Sequence, residues 1–520
     1  MIRLSTLLFA LTLSFVAYNL NGQTLLWQKT YGGSRPDNSP RLLPIKDGYV
    51  FCGATQSFDG NVSFLKGFID VWLVKLDTAG NIIWEKTIGG AGNDVATNFY
   101  RTKDSGFVIC GHTYSSNIEG GINSMRGLGD AWLLKLDSSG NVQWHKTYGG
   151  TQPDYFFDLV QIQDGGFVIT GYTMSSNHDV ANMKGGSDLW LVRVNSIGGL
   201  VWEKTFGGTK YEIGHSIVTT NDGGYLIAGS ATSNDGDIAG GKGLSDGWVL
   251  KVNAAGSLQW KKNYGGSDND DIWKIQKAGS NYILIGETRS NNHDISNHKG
   301  RNDAWLFSID GNGQLQWSKN YGGSWDDAVR DITPAFDGQG YMLTGYSYSY
   351  DGDVNFNHDS VSSDVWVLMT NNTGDLQWEH CYGGYNNEFA TSIMALSPTT
   401  FLFSASTTSD SGDVSFNWGN SDCWLGKVHS MIQPNFVAQE KTPTSVHVFP
   451  TVTSGIVHLD LPENFLNSEL KVFAITGELI LKRKLHGSRT VIDLNPLPAG
   501  VYFFHFFKEG KQSHSRVIKQ

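Results

Sequence analysis

Seven times between Trp27 and Trp378 the chain writes Trp-x-Lys-x-aromatic-Gly-Gly or a close variant, from WQKTYGG at Trp27 through WEKTFGG at Trp202 to WEHCYGG at Trp378. The first and last of these tryptophans lie 351 residues apart with six intervals between them, a period of 58.5 residues. A fixed period of this size constrains the fold more than any single residue does. Each unit is one supersecondary module that cannot bury its apolar face alone, so the units must stack.

A second motif keeps the same spacing. Asp-x-Trp begins at Asp70, Asp130, Asp188, Asp246, Asp303, Asp364 and Asp422 and continues into alternations such as WLVKLD, which predict a half-buried strand. Between the two motifs, FFDLVQI, Asp164-Gly165-Gly166 and FVITGYT predict a hairpin around a turn that needs positive φ. Each unit therefore reads as four strands, a to d in chain order, with tight a–b and c–d turns and longer b–c and d–a connections. Strands a, b and c recur seven times, but the first d strand, at residues 25–30, precedes the first a strand, and none follows Val428. The N-terminal strand is expected to complete the last sheet beside Trp424, which removes the edges an open array would expose. The predicted fold is all-β. A seven-bladed β-propeller over 23–428, closed by its N-terminal strand, is followed by a linker at 429–445 and a small C-terminal β-sandwich at 446–520.

Composition fits this reading: 63 glycines among 520 residues and no long helical periodicity suit a chain of strands and turns. The net charge is −11, and the tail from Val446 holds nine of the 39 basic and six of the 50 acidic side chains, which leaves 30 basic against 44 acidic elsewhere. Such a region repels phosphate backbones, which excludes nucleic acid as a partner and polybasic attachment to membranes. Arg3 followed by LSTLLFALTLSFVA predicts a signal peptide over 1–22 with cleavage before Gln23. No transmembrane span is expected. Cys52 and Cys110 share a strand b position that other units fill with Thr170, Ala228, Ile285, Thr344 and Ser404, so both are expected to be buried packing residues.

After Val428 the rhythm stops, and from Val446 seven short strands follow: VHVF, GIVHLDL, ELKVFA, ELILKRKL, TVIDL, GVYFFHF and SRVIK. They carry Val448-Phe449-Pro450 with Thr453-Ser454-Gly455, then Leu470-Lys471-Val472-Phe473 with Gly477. Ile492-Asp493-Leu494, Leu497, Gly500-Val501-Tyr502 and the terminal Val517-Ile518-Lys519 complete the set. In these motifs the tail resembles the type A C-terminal sorting domain of type IX secretion cargo in Gram-negative bacteria. Thr451 and Val452 stand where that family has Asn and a second Pro. The resemblance implies transit through the periplasm, recognition by the outer-membrane type IX machinery, and a secreted or outer-surface location. The repeats resemble uncharacterised repeat regions of such surface proteins, which assigns no activity.

Antiparallel strands put the b–c and d–a connections on one face, and long loops on a rigid scaffold are where binding residues concentrate. Two acidic series border that face: Asp37, Asp94, Asp154, Glu212, Asp270, Asp327 and Glu388 after the Gly pairs, and the Asp of each Asp-x-Trp. Identical chemistry in every unit points to a structural task, either capping free backbone N–H groups or pairing with the Lys of Trp-x-Lys. In two b–c loops, Asp235 with Asp237 and Asp351 with Asp353 flank a glycine in the manner of oxygen ligands for Ca²⁺, the one cofactor considered, without the terminal Glu of a twelve-residue calcium loop. An Asx turn that shapes the loop is the alternative.

Catalysis needs one constellation of unlike groups. The histidines that depart from the repeat, His112, His178, His293, His298, His358 and His380, form no metal-ligand or nucleophile motif. The expected function is non-enzymatic binding or adhesion to an extracellular glycan or protein through Arg35, Lys210, Tyr211, Trp325, Tyr385 and Trp418. The alternatives are a hydrolase or lyase acting on polysaccharide, with carboxylates drawn from several units, and a structural component of the cell surface.

Overall fold

The computed structural model of the chain describes residues 23–430 except 119–124, 239 and 360, and residues 446–519 except 450–451, 454, 462–464, 466, 486–488 and 509–510. The expected signal peptide and the expected linker from residue 431 onward lie outside the described residues. The chain divides into two compact units, the repeat region and the tail.

Among the described residues the repeat region forms seven four-stranded antiparallel sheets. Six follow chain order, as in Asp154–Gln161, Phe167–Thr173, Asp188–Val194 and Leu200–Phe206. In the seventh, Gln23–Tyr31 lies beside Asp422–Ser430, followed by Thr400–Thr407 and Glu388–Ser397. The N-terminal strand pairs from Gln23 against Ser430 to Tyr31 against Cys423 and so takes place d. The last strand runs through Ser430, two residues into the expected linker. Strand a of each sheet packs against the preceding sheet, and Asp37–Ile45 packs against the strands that hold residues 388–430. Four-stranded sheets stacked in this way make a β-propeller.

The core lies between the sheets. All seven Asp-x-Trp tryptophans are buried to 1 % exposure or less. Strand c is buried on both faces rather than half-buried as its alternation predicts, because a neighbouring sheet covers each side; Asp188–Val194 exposes little beyond part of Arg193. A buried indole N–H needs an acceptor, and strand d supplies it in five of the seven sheets. Trp72 Nε1 donates to Glu85 at 2.9 Å, Trp190 to Glu203 at 3.1 Å and Trp366 to Glu379 at 2.9 Å. Trp424 donates to Gln28 of the N-terminal strand at 3.0 Å, the same bond with Gln in place of Glu.

Where the residue before Gly-Gly is a tyrosine, its hydroxyl ties the sheet to the next. Tyr148 donates to Gly198 O at 2.7 Å and Tyr264 to Gly313 O at 2.6 Å, each reaching the following c–d turn. Tyr31 does the same to Gly80 O at 2.7 Å. Apolar packing at that junction joins Tyr31, Leu402, Cys423 and Leu425 to Leu42, Phe51, Trp72 and Leu76. The four cysteines are buried and free, as expected for Cys52 and Cys110.

The tail is a sandwich of a three-stranded sheet (His447–Phe449, Ile456–Asp460, Arg489–Asp493) and a five-stranded sheet around Gly500–Lys508. Val457, Leu459, Leu470, Val472, Ile492, Phe504 and Phe506 fill its core. An unpredicted short strand, Val452–Thr453, pairs in parallel with Ile518 and Lys519. The family's proline at 452 would bring no N–H to a ladder, whereas valine does.

Removal of Gln23–Tyr31 is expected to lower the melting temperature of the repeat region sharply, because it strips a complete strand, the acceptor for Trp424 and the Tyr31 tie. Tyr31→Phe should cost about 1 kcal/mol in a denaturant titration, the usual worth of one buried hydrogen bond. A truncated chain that melted with its parent would contradict this account of the seam.

Candidate functional site

The repeated carboxylates organise the loop face. Asp94 Oδ2 accepts from Gly90 N and Ser115 Oγ, both at 2.7 Å, and Asp154, Asp270 and Asp327 accept from the equivalent donors. The Asp-x-Trp series caps the b–c loops: Asp130 accepts from Arg126 N at 2.8 Å, Asp188 from Lys184 N at 3.0 Å and Asp303 from Lys299 N at 2.8 Å. The lysines of Trp-x-Lys pair elsewhere. Lys29 and Lys86 reach Asn81 and Asn141 in the next c–d turns at 2.6 and 2.5 Å.

The two series converge in pairs. Asp422 with Asp37, Asp188 with Glu212, and Asp364 with Glu388 flank the first glycine of a Gly-Gly, where any Cβ would collide with both carboxylates. The Oδ1 atom of every Asp-x-Trp aspartate is buried without a hydrogen-bond partner among the described residues. Burial, with repulsion from the paired acid added, pushes Asp422 and Glu388 up to about 7 and Asp130 and Asp188 up to about 6. A proton shared between the two carboxylates of a pair would satisfy the orphaned oxygen.

The four calcium candidates fall into two of these repeated positions. Asp235 and Asp351 accept from Thr209 N and Ser324 N at 2.8 and 2.7 Å, a cap that Asn177 and Asn292 provide for Thr151 and Ser267 without charge. Asp237 and Asp353 accept from Gly207 N and Gly322 N, both at 3.1 Å, and are ion-paired with Lys184 and Lys299 of the preceding loop. Arg126 with Asp179 and Lys242 with Asp294 repeat this latch. No group of three or more His, Cys, Asp or Glu among the described residues is arranged to hold a metal ion.

The latch changes at the junction of the last and first sheets. Trp418 occupies the place of the latching cation, four residues before Asp422, and Asn61, which accepts from Gly32 N at 3.2 Å, stands in the place of the acid. There the structure brings together two of the predicted ligand residues. Gly419 packs on the backbone of Gly33 and Ser34, which sets Trp418 near Arg35. Trp418 packs edge-on against Phe416 at 5.1 Å, and the Arg35 guanidinium lies 4.7 Å from the Phe58 ring. Phe58 is 55 % exposed, Phe416 51 % and Trp418 42 %. The other four are spread over separate d–a turns: Lys210 and Tyr211 on one, Trp325 beneath Arg301 at 4.4 Å on another, and Tyr385 on a third.

A second site was not foreseen. All seven a strands slip register at one place, between Ala96 and Asn98, Phe156 and Asp158, and their equivalents. Each bulge turns its extra residue away from the ladder. Thr97, Phe157, His215, Trp273, Arg330 and Thr391 thereby line one cavity of about 340 Å³, joined by Arg41 of the first sheet. One wall is a ladder of rings: Phe157 to His215 at 5.3 Å, His215 to Trp273 at 4.5 Å, and the Arg330 guanidinium 4.4 Å from Trp273. Burial lowers His215 to about 4 and keeps it neutral. Asp158 and Asp331, beside the bulges, bind neighbouring strands: Asp158 Oδ2 accepts from Ser216 Oγ at 2.7 Å and Ile217 N at 3.0 Å, and Asp331 Oδ2 from Ile393 N at 2.9 Å. Burial raises Asp158, whereas Lys274 and Arg41 outweigh burial and lower Asp331. Of the histidines singled out in the sequence, His112 lies inside a strand, stacked 4.0 Å from Tyr155, and burial lowers it to about 4.

Residues 447–520 match the secretion system C-terminal sorting domain. The tail is a type IX sorting domain. The sorting domain implies the type IX machinery as a partner and export to a secreted or cell-surface location. Over 166 residues, 29 % of its length, the chain is 30 % identical to the regulatory protein FlaEY of Caulobacter vibrioides, of whose length it spans 17 %. Among solved structures it is similar to the CNH domain of AfRom2, at 8 % identity and TM-score 0.40 over 78 % of this chain and 98 % of that one. It is also similar to the N11 neuraminidase-like protein of a flat-faced bat influenza virus, at 11 % identity and TM-score 0.32 over 78 % and 93 %.

The paired carboxyls give a signed pH dependence. Asp422 ionises in the fold at about 7, against about 4 in an unfolded chain. The stability it contributes is full below the unfolded value and lost as pH rises through the folded one. Asp422→Asn does not titrate. Its melting temperature relative to the parent is therefore expected to improve between about pH 5 and about pH 8; an offset that stayed constant would contradict proton sharing.

Proposed function

We propose that the chain is a surface adhesion protein in which the seven sheets are blades of a closed ring. The loop face of that ring binds an extracellular glycan or protein without catalysis, and the sorting domain delivers it outside the cell. Closure is supported by the Tyr31 tie, by the apolar packing across the same junction, and by a cavity with lining residues from all seven sheets. The binding reading is carried by the altered latch, where Arg35, Phe58, Phe416 and Trp418 stand exposed on loops that carboxylate caps otherwise hold rigid. Large rings and arginine on a rigid frame have the character of binding hot spots. Tyr211, Trp325 and Tyr385 add separate weak contacts around the same face, which gain by avidity on a repetitive ligand. The non-catalytic reading is supported by Asp158 and Asp331, whose oxygens are taken up by neighbouring strands.

A glycan array probed with the whole chain tests this. Binding is expected, with a loss of at least about tenfold in Trp418→Ala, the scale of one hot-spot truncation, and a smaller loss in Trp325→Ala. Product release from a panel of polysaccharides would instead support a hydrolase or lyase. Silence in both would favour a purely structural surface role.

A further inference from the structure

We propose that the central cavity is a second binding site, separate from the loop face, for one carboxylate-bearing sugar unit. Its volume of about 340 Å³ falls in the usual range for small-ligand pockets, about 300 to 1,000 Å³. It suits a single sugar or a chain end.

Three features set the ligand class. The first is the ring ladder, which offers flat apolar faces for the C–H face of a sugar ring. The second is charge. Arg41, Lys274 and Arg330 line the cavity, in a region of the chain where acids outnumber bases. Asp331 is ion-paired with Lys274, and burial favours the uncharged form of Asp158, which leaves Arg41 and Arg330 to face an acidic ligand.

The third feature is unspent donor capacity. Arg330 lies between Trp273, at 4.4 Å, and Tyr346, at 5.5 Å, and Glu287 holds its Nη2 at 3.2 Å. Its Nη1 and the Trp273 Nε1 are buried and have no hydrogen-bond partner among the described residues. A guanidinium fixed flat by stacking is preorganised for the planar fork of a carboxylate, and a donor left unmade is costly until something accepts from it.

Calorimetric titration of the whole chain with galacturonate and glucuronate, against galactose and glucose as neutral controls, tests the site. At least one acidic sugar is expected to bind saturably at one site per chain, with its neutral counterpart weaker by at least about tenfold, as loss of a charge-assisted pair requires. Arg330→Gln should remove that preference. Phe157→Leu, which takes away a ring and no hydrogen bond, should weaken binding even if Arg330→Gln fails to fold. Trp418→Ala should leave the titration unchanged. Failure of both acidic sugars to bind, equal affinity for the neutral sugars, binding that survives the cavity variants, or loss of binding in Trp418→Ala would each overturn the proposal.

Discussion

The repeat region depends on one strand pairing, that of Gln23–Tyr31 with Asp422–Ser430. Without it the last sheet would have three strands, Trp424 would lose its acceptor, and an apolar surface near Tyr31 would be left uncovered. With it, the first sheet receives from the chain's start the covering that every other sheet receives from its predecessor. An array of stacked sheets has two unsatisfied ends; here the first a strand packs against the last sheet.

The same economy explains the motif itself. The tryptophan of Asp-x-Trp fills the space between sheets, in three sheets the acid after the next tryptophan accepts its indole proton, and in four the tyrosine before Gly-Gly reaches the following turn. The first glycine is required because two carboxylates close over it. Those carboxylates look like a series of ligands when read one at a time, yet each already accepts from a backbone amide of its own loop. Repetition in this chain marks structural work, and function has to be sought where repetition fails.

That contrast decides what the sequence could disclose. The sheets, their strand order and the role of the leading strand follow from recurring residues, because recurrence is what packing demands of every unit. The half-buried reading of strand c failed because alternation along one strand says nothing about a second sheet on its far side. The cavity was missed for a related reason. Three residues after each repeated acid the chain places Pro40, Thr97, Phe157, His215, Trp273, Arg330 and Thr391. That position varies while its neighbours keep the beat, and only the shared bulge shows that it faces a common space. The altered latch was legible in principle, since Trp418 and Asn61 replace a cation and an acid found together in other units. The link between positions so far apart in the chain emerges only when the sheets are stacked.

Joining the chain's beginning to residues some four hundred positions later also has a kinetic side. Folding rates fall as the sequence separation of native contacts grows, and here a separation of about four hundred residues sits in the pairing that completes the last sheet. Until residues 422–430 have formed their strand, the leading segment has no partner. The exposed strand edges of that interval are the part of its life in which this protein is most open to aggregation.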